Sequence, residues 1–228
     1  MVDGSVGPCR VKGECASLSR HSSRRLPSPF DDGFRAVLGR PPSDHERSQF
    51  AKYLDLLVKW GSVYRMIGST DPQWIVENLF LDSLLFVGVL PMETRSILDL
   101  GAGAGLPGIP IAIVRPGGEM ALLEAKRRRA SFLATVIREL GLAGARVLSA
   151  RAEDLVGDLG STFDAVVMRC AGRLDEILPI AAQFARAGGI VVASGPEKPG
   201  SLRTGEWYTV PGVRKGTSRR FAVLHKPV

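Results

Sequence analysis

The sequence predicts an α/β fold: a doubly wound, mostly parallel sheet that ends in an antiparallel hairpin and is preceded by a small helical cap. Three observations carry this reading. From Ser96 onward short β-rich runs alternate with helical runs, the mark of a parallel sheet. The first of them, Ile97-Leu98-Asp99-Leu100, passes straight into a glycine turn. Before Ser96 the apolar residues recur only at helical spacing.

Taken in order, the chain divides into residues 1–32, a basic disordered extension, residues 33–92, the cap, and residues 93–228, the sheet domain. The extension is rich in Ser, Arg, Pro and Gly without apolar periodicity. In the cap, Ser43 followed by Glu46 matches a capping box. Phe50, Tyr53, Leu54, Leu57, Val58 and Trp60 then trace one face of a helix. Asp71-Pro72 opens a second helix that runs to Gly88.

Strands are expected at Ser96–Leu100, Glu119–Leu123, Arg146–Ala150, Ala165–Met168 and Ile190–Ala193. Helices are expected at Pro110–Val114, Arg128–Leu140, Leu155–Leu159 and Leu174–Ala185, with Gly141 closing the second. Trp207–Val210 and Arg220–Leu224 form the hairpin at the sheet edge.

Composition excludes several classes. A content of 45% hydrophobic and 23% charged residues describes a globular chain. The longest apolar stretch, Leu79 to Leu90, contains Asp82 and falls short of the roughly 20 residues a membrane helix needs. Cys9, Cys15 and Cys170 form no disulfide framework or metal-ligand spacing, so no metal is expected and the compartment reads as a reducing cytoplasm. The net charge of +7 points to a polyanionic partner. Part of that excess lies in residues 1–30, where Arg10, Lys12, Arg20, Arg24 and Arg25 outnumber Asp3 and Glu14.

The chemistry-bearing motif is Gly101-Ala102-Gly103-Ala104-Gly105-Leu106-Pro107-Gly108. Glycines let a backbone approach a ligand closely, and the next helix offers free N–H groups to polar oxygens. Two cofactors compete for such a loop. Gly103, Gly105 and Gly108 fit the dinucleotide spacing, whereas Gly101, Gly103 and Gly105 fit the tighter loop associated with S-adenosylmethionine. The strand ends at Leu100, so Gly101 is the first turn glycine, and this phase favours S-adenosylmethionine.

Glu124 ends the second strand, where a carboxylate accepts hydrogen bonds from ribose hydroxyls of either cofactor. The run Lys126-Arg127-Arg128-Arg129 reads as a solvated first turn, a phosphate grip or an RNA-facing patch. Ala152-Glu153-Asp154 follows the third strand, beside the crevice. Arg169 closes the fourth strand and needs exposure to solvent or an anionic partner, be it a cofactor carboxylate, an RNA phosphate or a neighbouring acid. No arrangement of Ser, His, Asp or Cys marks a nucleophile, and His21, His45 and His225 read as bystanders.

With "LLVKW", "LDSLL", "ILDLGAGAGLPGIPIAIVRP" and "LLEAKRRRASFLATVIRELGL" in hand, the chain resembles the bacterial 16S ribosomal RNA guanine-N7 methyltransferase family, once called glucose-inhibited division protein B. The likeness runs from about Phe50 to Lys226. It implies a class I, Rossmann-like methyltransferase fold with an N-terminal helical cap. It also implies S-adenosyl-L-methionine as cofactor and 16S rRNA of the small ribosomal subunit as partner, in a cytoplasmic monomer. By the same resemblance Gly101, Leu106, Ala152, Glu153 and Arg169 line the methyl donor's pocket and Glu124 takes the ribose-binding position. Guanine N7 carries an in-plane lone pair, so the missing general base fits that chemistry.

The chain departs from the family at several positions. Arg65-Met66-Ile67 stands for a usual Asn-Leu-Thr, Leu79 for a histidine, Met168-Arg169-Cys170-Ala171 for Ser-Arg-Ala-Phe, and Ser194 for a lysine. The donor loop is intact while acceptor-side positions differ. Two readings follow: a divergent member with the same target, or a paralogue that methylates another RNA or a small molecule. The readings from other classes are an NAD(P)-dependent oxidoreductase and a catalytically dead RNA-binding module.

Overall fold

The computed structural model describes residues 25–169, 173–196 and 200–228. Helix α1 (Pro29–Leu38) carries proline in its first turn and ends on Gly39 in the left-handed conformation. The expected boundary at Gly33 therefore falls inside a helix. Phe30 and Phe34 are buried, and Phe50 and then Phe80 extend the cluster, with ring centroids 5.1 Å apart for Phe30–Phe50 and 5.2 Å for Phe50–Phe80. Phe30, Phe34, Val37 and Leu38 stand at helical spacing between Pro29 and Gly39, a local pattern that the expected boundary cut in two. The rest of the expected extension, before Arg25, lies outside the described residues.

Helix α2 (Asp44–Tyr64) starts as its sequence requires. Ser43 Oγ accepts the Glu46 N–H at 3.2 Å, and the Glu46 carboxylate accepts the Ser43 N–H at 2.7 Å. It buries Phe50, Tyr53, Leu54 and Leu57 and ends on Arg65, which adopts φ +47°. Asp71 then caps α3 (Pro72–Ile75) by accepting the Trp74 N–H at 2.7 Å.

The single helix expected from there to Gly88 is instead wound in four pieces. A π turn (Val76–Leu81) follows α3, then α4 (Asp82–Leu84), then a 3₁₀ turn (Leu85–Gly88). Val76, Leu79, Phe80, Leu81, Leu84 and Phe86 are all buried. With that many sides covered, contacts with both cap and sheet set the winding rather than one amphipathic stripe.

The sheet comprises β1 (Ser96–Leu100), β2 (Glu119–Leu123), β3 (Ala145–Leu148), β4 (Phe163–Met168), β5 (Ala185–Ser194), β6 (Glu206–Pro211) and β7 (Ser218–His225). Their order is β3-β2-β1-β4-β5-β7-β6, with β7 antiparallel to both neighbours and every other pair parallel. Between them run α5 (Gly108–Val114), α6 (Arg127–Leu140), α7 (Ala152–Leu159) and α8 (Leu174–Phe184). The elements match those expected, shifted by a few residues at their ends; the largest shift is in β5, which begins at Ala185 rather than Ile190.

Alternation along the strands divides the core. Ile97, Leu122, Val167 and Val192 face the cap, α5 and α6, whereas Leu98, Leu123, Val166 and Val191 face α7 and α8. Strand order reverses between β1 and β4, which puts the topological switch point at the carboxyl end of β1.

Candidate functional site

At that switch point the turn after β1 runs through Gly101, Gly103 and Gly105, all at positive φ. Gly105 shows why no larger residue serves there. A Cβ on it would sit 2.6 Å from Ile109 Cγ1 and 3.0 Å from the Tyr53 hydroxyl, at a φ of +91°. Leu106, joined to Pro107 by a cis peptide, is buried beneath the cap. Gly108 opens α5 and donates its N–H to Asp99 Oδ2 at 2.8 Å.

Glu124 links the turn to the end of β2. Its Oε2 accepts the Gly103 N–H at 3.1 Å and its Oε1 accepts the Lys126 N–H at 2.8 Å. A carboxylate has about four acceptor positions, so both oxygens retain capacity for a ligand. A cleft of about 220 Å³ opens beside it, lined among others by Gly101, Glu124, Ala125, Ala152, Glu153 and Ile177. Ala152 and Glu153 line the cleft from the first turn of α7 rather than from the loop that the sequence implied.

Asp99 is buried, and its Oδ1 has no hydrogen-bond partner among the described residues. Burial, with the Glu124 charge adding to it and the Gly108 N–H opposing, pushes its carboxyl up to about 7. Tyr53, stacked on Phe80 at 5.0 Å, donates its hydroxyl to the Ala104 carbonyl at 2.6 Å. Burial and the nearby Asp99 push that phenol well above its ordinary value, so it remains a hydrogen-bond donor.

Arg169 stands apart from this cleft. It lines a second one, of about 570 Å³, shared with Arg173, Ser194, Trp207 and Arg219. The cap anchors it: Nη2 donates to the Asn78 carbonyl at 2.6 Å and lies 3.0 Å from Asp82 Oδ2. Asp82 also meets Arg219 Nε at 3.0 Å. Arg169 Nη1 is buried without a hydrogen-bond partner. Desolvation lowers the guanidinium's pKa, Asp82 opposes that shift, and Arg219 adds to it.

Of the residues expected from sequence, Gly101, Glu124, Ala152 and Glu153 thus gather around one cleft. Gly103 binds Glu124, Gly105 and Leu106 support the turn from below, and Arg169 serves the second cleft. Asp99, Tyr53, Asn78, Asp82 and Arg219 were not singled out by sequence reasoning. The acids carried a signal, each being a lone charge inside an apolar run; Arg219 carried none. Two further clefts, of about 380 and 600 Å³, share Arg115, Gly118 and Glu119 and lie by the amino ends of the strands. Open α/β sheets bind ligands at the opposite end.

Among the described residues no group of His, Cys, Asp or Glu is placed to hold a metal ion, and no helix is long and apolar enough to cross a membrane.

The strand order and switch-point turn define a class I, Rossmann-like methyltransferase fold. Its likeness to the O-methyltransferase TomG from Streptomyces achromogenes, solved in complex with SAM, covers 90% of this chain and 99% of that one, with a TM-score of 0.55 and 20% identity. The chain belongs to the rRNA small subunit methyltransferase G family, whose model matches residues 46–199. Similar relatives are the ribosomal RNA small subunit methyltransferases G of Sorangium cellulosum, 38% identical, and Streptococcus pneumoniae, 31% identical. The alignments cover 64% and 67% of this chain but only 62% and 66% of those relatives.

Proposed function

We propose that this chain transfers a methyl group from S-adenosyl-L-methionine to N7 of a guanine in 16S ribosomal RNA of the small subunit. The observation that carries the reading is the Glu124 carboxylate, fixed by two backbone N–H groups at the mouth of the glycine turn with acceptor capacity left over. Ribose hydroxyls are the donors that suit it, and the names of the family and its curated relatives support the RNA target.

The donor's chemistry is an electrophilic methyl on a sulfonium. The chain's residues hold and orient. Glu124 would take the ribose, Ala152 and Glu153 the adenine edge, and Gly101 and Gly103 the close approach of the backbone. Gly105 and Leu106 keep the turn in place beneath the cap. Arg169, held by Asn78 and Asp82, would set positive charge toward the donor's carboxylate end from the second cleft, which it lines. Guanine N7 would take the methyl with its own lone pair as the sulfur–methyl bond breaks and its electrons stay on S-adenosylhomocysteine, so the chain need only align and no residue need remove a proton. We place the activity in the cytoplasm, in a monomer that uses no metal.

The test uses methyl-labelled S-adenosylmethionine, small ribosomal subunits from cells lacking the modification, and mapping of the labelled nucleotide. Label on N7 of one 16S guanine is the expected result. Unlabelled subunits from a chain that still binds S-adenosylhomocysteine would sink the RNA target and leave the donor site.

A further inference from the structure

We propose that the groove between the C-terminal end of α2 and the first turn of α6 is a docking track for single-stranded RNA. One nucleobase packs on Tyr64, and the flanking phosphates meet Arg65, Arg127 and Arg128. The proposal rests on the reading of the chain as an RNA methyltransferase and goes beyond it by stating where the strand lies.

The groove, of about 480 Å³, has Val63, Tyr64, Arg65 and Met66 on one wall and the run from Lys126 to Arg129 on the other. Tyr64 is 46% exposed, a large aromatic surface left open among the described residues. Trp60 props it from behind, 5.4 Å from Tyr64 and 5.3 Å from Phe132, so the platform is anchored to both helices. The Arg128 guanidinium lies 6.0 Å from the Tyr64 ring centroid, which keeps a cation over the same surface.

The cations sit where folding alone does not favour them. Lys126 is the N-cap of α6 and Arg127, Arg128 and Arg129 fill its first turn, with no acidic residue there. Positive charge at that end opposes the helix dipole. Arg65 holds a left-handed φ of +47°, which Gly or Asn adopts with less strain. Among the described residues only Arg129 of the groove meets a carboxylate, Glu124 at 3.8 Å.

Exposed aromatic surface interleaved with cations is the chemistry of base stacking and phosphate contact. An acidic protein segment would use the charges and leave the ring idle. Arg129 also ties the groove to Glu124, so a strand lying there passes the mouth of the cofactor cleft.

The test is fluorescence anisotropy of a labelled single-stranded oligoribonucleotide with the full chain, over a series of salt concentrations. Tyr64→Ala should weaken binding about tenfold. The double variant Arg127→Glu/Arg128→Glu should weaken it about a hundredfold at low salt. It should also flatten the slope of log affinity against log salt by about 1.4, the value for two lost phosphate contacts on a single strand. Arg127→Lys/Arg128→Lys should keep the slope. S-adenosylhomocysteine affinity, which reports the fold, should stay unchanged throughout.

Unchanged RNA affinity and slope in the first two variants would overturn the proposal. So would polyglutamate binding as tight as RNA's and equally sensitive to Tyr64→Ala. RNA bound through this groove without methyl transfer would fault the functional reading and leave the groove standing. Methyl transfer and RNA binding both untouched by these variants would do the reverse.

Discussion

Tyr53 in the cap and Ala104 in the glycine turn are joined by a hydrogen bond of 2.6 Å from phenol to carbonyl. The same hydroxyl stands 3.0 Å from where a Cβ on Gly105 would be. The cap is therefore part of the architecture of the proposed donor site: it closes the turn from below and fixes the residue type the turn can carry. Gln49 adds a second tie, donating Nε2 to the Leu140 carbonyl at the end of α6 across 2.8 Å.

Tyr53→Phe keeps the stack on Phe80 and leaves the buried Ala104 carbonyl without its donor. The expected loss of stability is about 1–2 kcal/mol. Urea unfolding measures that loss. Titration with S-adenosylhomocysteine should show weaker binding as well, because the turn is less well held. A variant that loses stability but binds the ligand unchanged would confine Tyr53 to a packing role.

Asp82 is the only carboxylate among the described residues that meets both Arg169 and Arg219. Asp82→Ala would strand two partly buried guanidinium groups. Breaking a fully buried pair costs about 3–5 kcal/mol, and the remaining exposure of these arginines brings the expected cost to about 2–3 kcal/mol. Thermal unfolding should show a drop of roughly 4–12 °C for a chain of this size. An unchanged midpoint would mean that solvent already screens both arginines.

Much of the architecture is legible because local rules and tertiary packing agree. Ser43 and Glu46 cap α2 as their spacing says, β1 and β2 have the bounds their apolar runs mark, and Gly141 ends α6 in the left-handed conformation. The glycine phase after Leu100 likewise locates the turn, and Glu124, Ala152 and Glu153 converge on it. What was not legible depends on distant partners. Phe30 shares a helical spacing with Phe34, Val37 and Leu38, but the Ser/Arg/Pro-rich run before it hides where that helix begins, and Phe50 completes its cluster only in the fold. The π turn that presents the Asn78 carbonyl to Arg169 follows from burial on several sides, which periodicity does not encode. Arg219 reaches Asp82 only because β7 inserts beside β5.

Asp99 gives a pH signature. Its folded pKa is about 7, against 3.8 for an ordinary aspartate. Between those values the folded chain keeps a proton that the unfolded chain has released. Stability from this group is therefore full below the lower value, falls as pH rises through the window, and levels off above it. Asp99→Asn retains an acceptor for the Gly108 N–H and has no proton to lose. Urea unfolding at about pH 5 and about pH 8 should show the wild type losing on the order of 3 kcal/mol more than the variant. Equal pH dependence in the two proteins would show that Asp99 is ionised throughout.

The most direct test of the donor site is calorimetric titration of S-adenosylhomocysteine into the wild type and Glu124→Ala, with NADPH as the competing ligand. Losing the carboxylate's hydrogen bonds to ribose should weaken S-adenosylhomocysteine about ten- to a hundredfold, the equivalent of about 1.5–3 kcal/mol. NADPH should bind the wild type far more weakly than S-adenosylhomocysteine. Unchanged affinity in Glu124→Ala, or tighter binding of NADPH, would contradict the assignment of this cleft to the methyl donor.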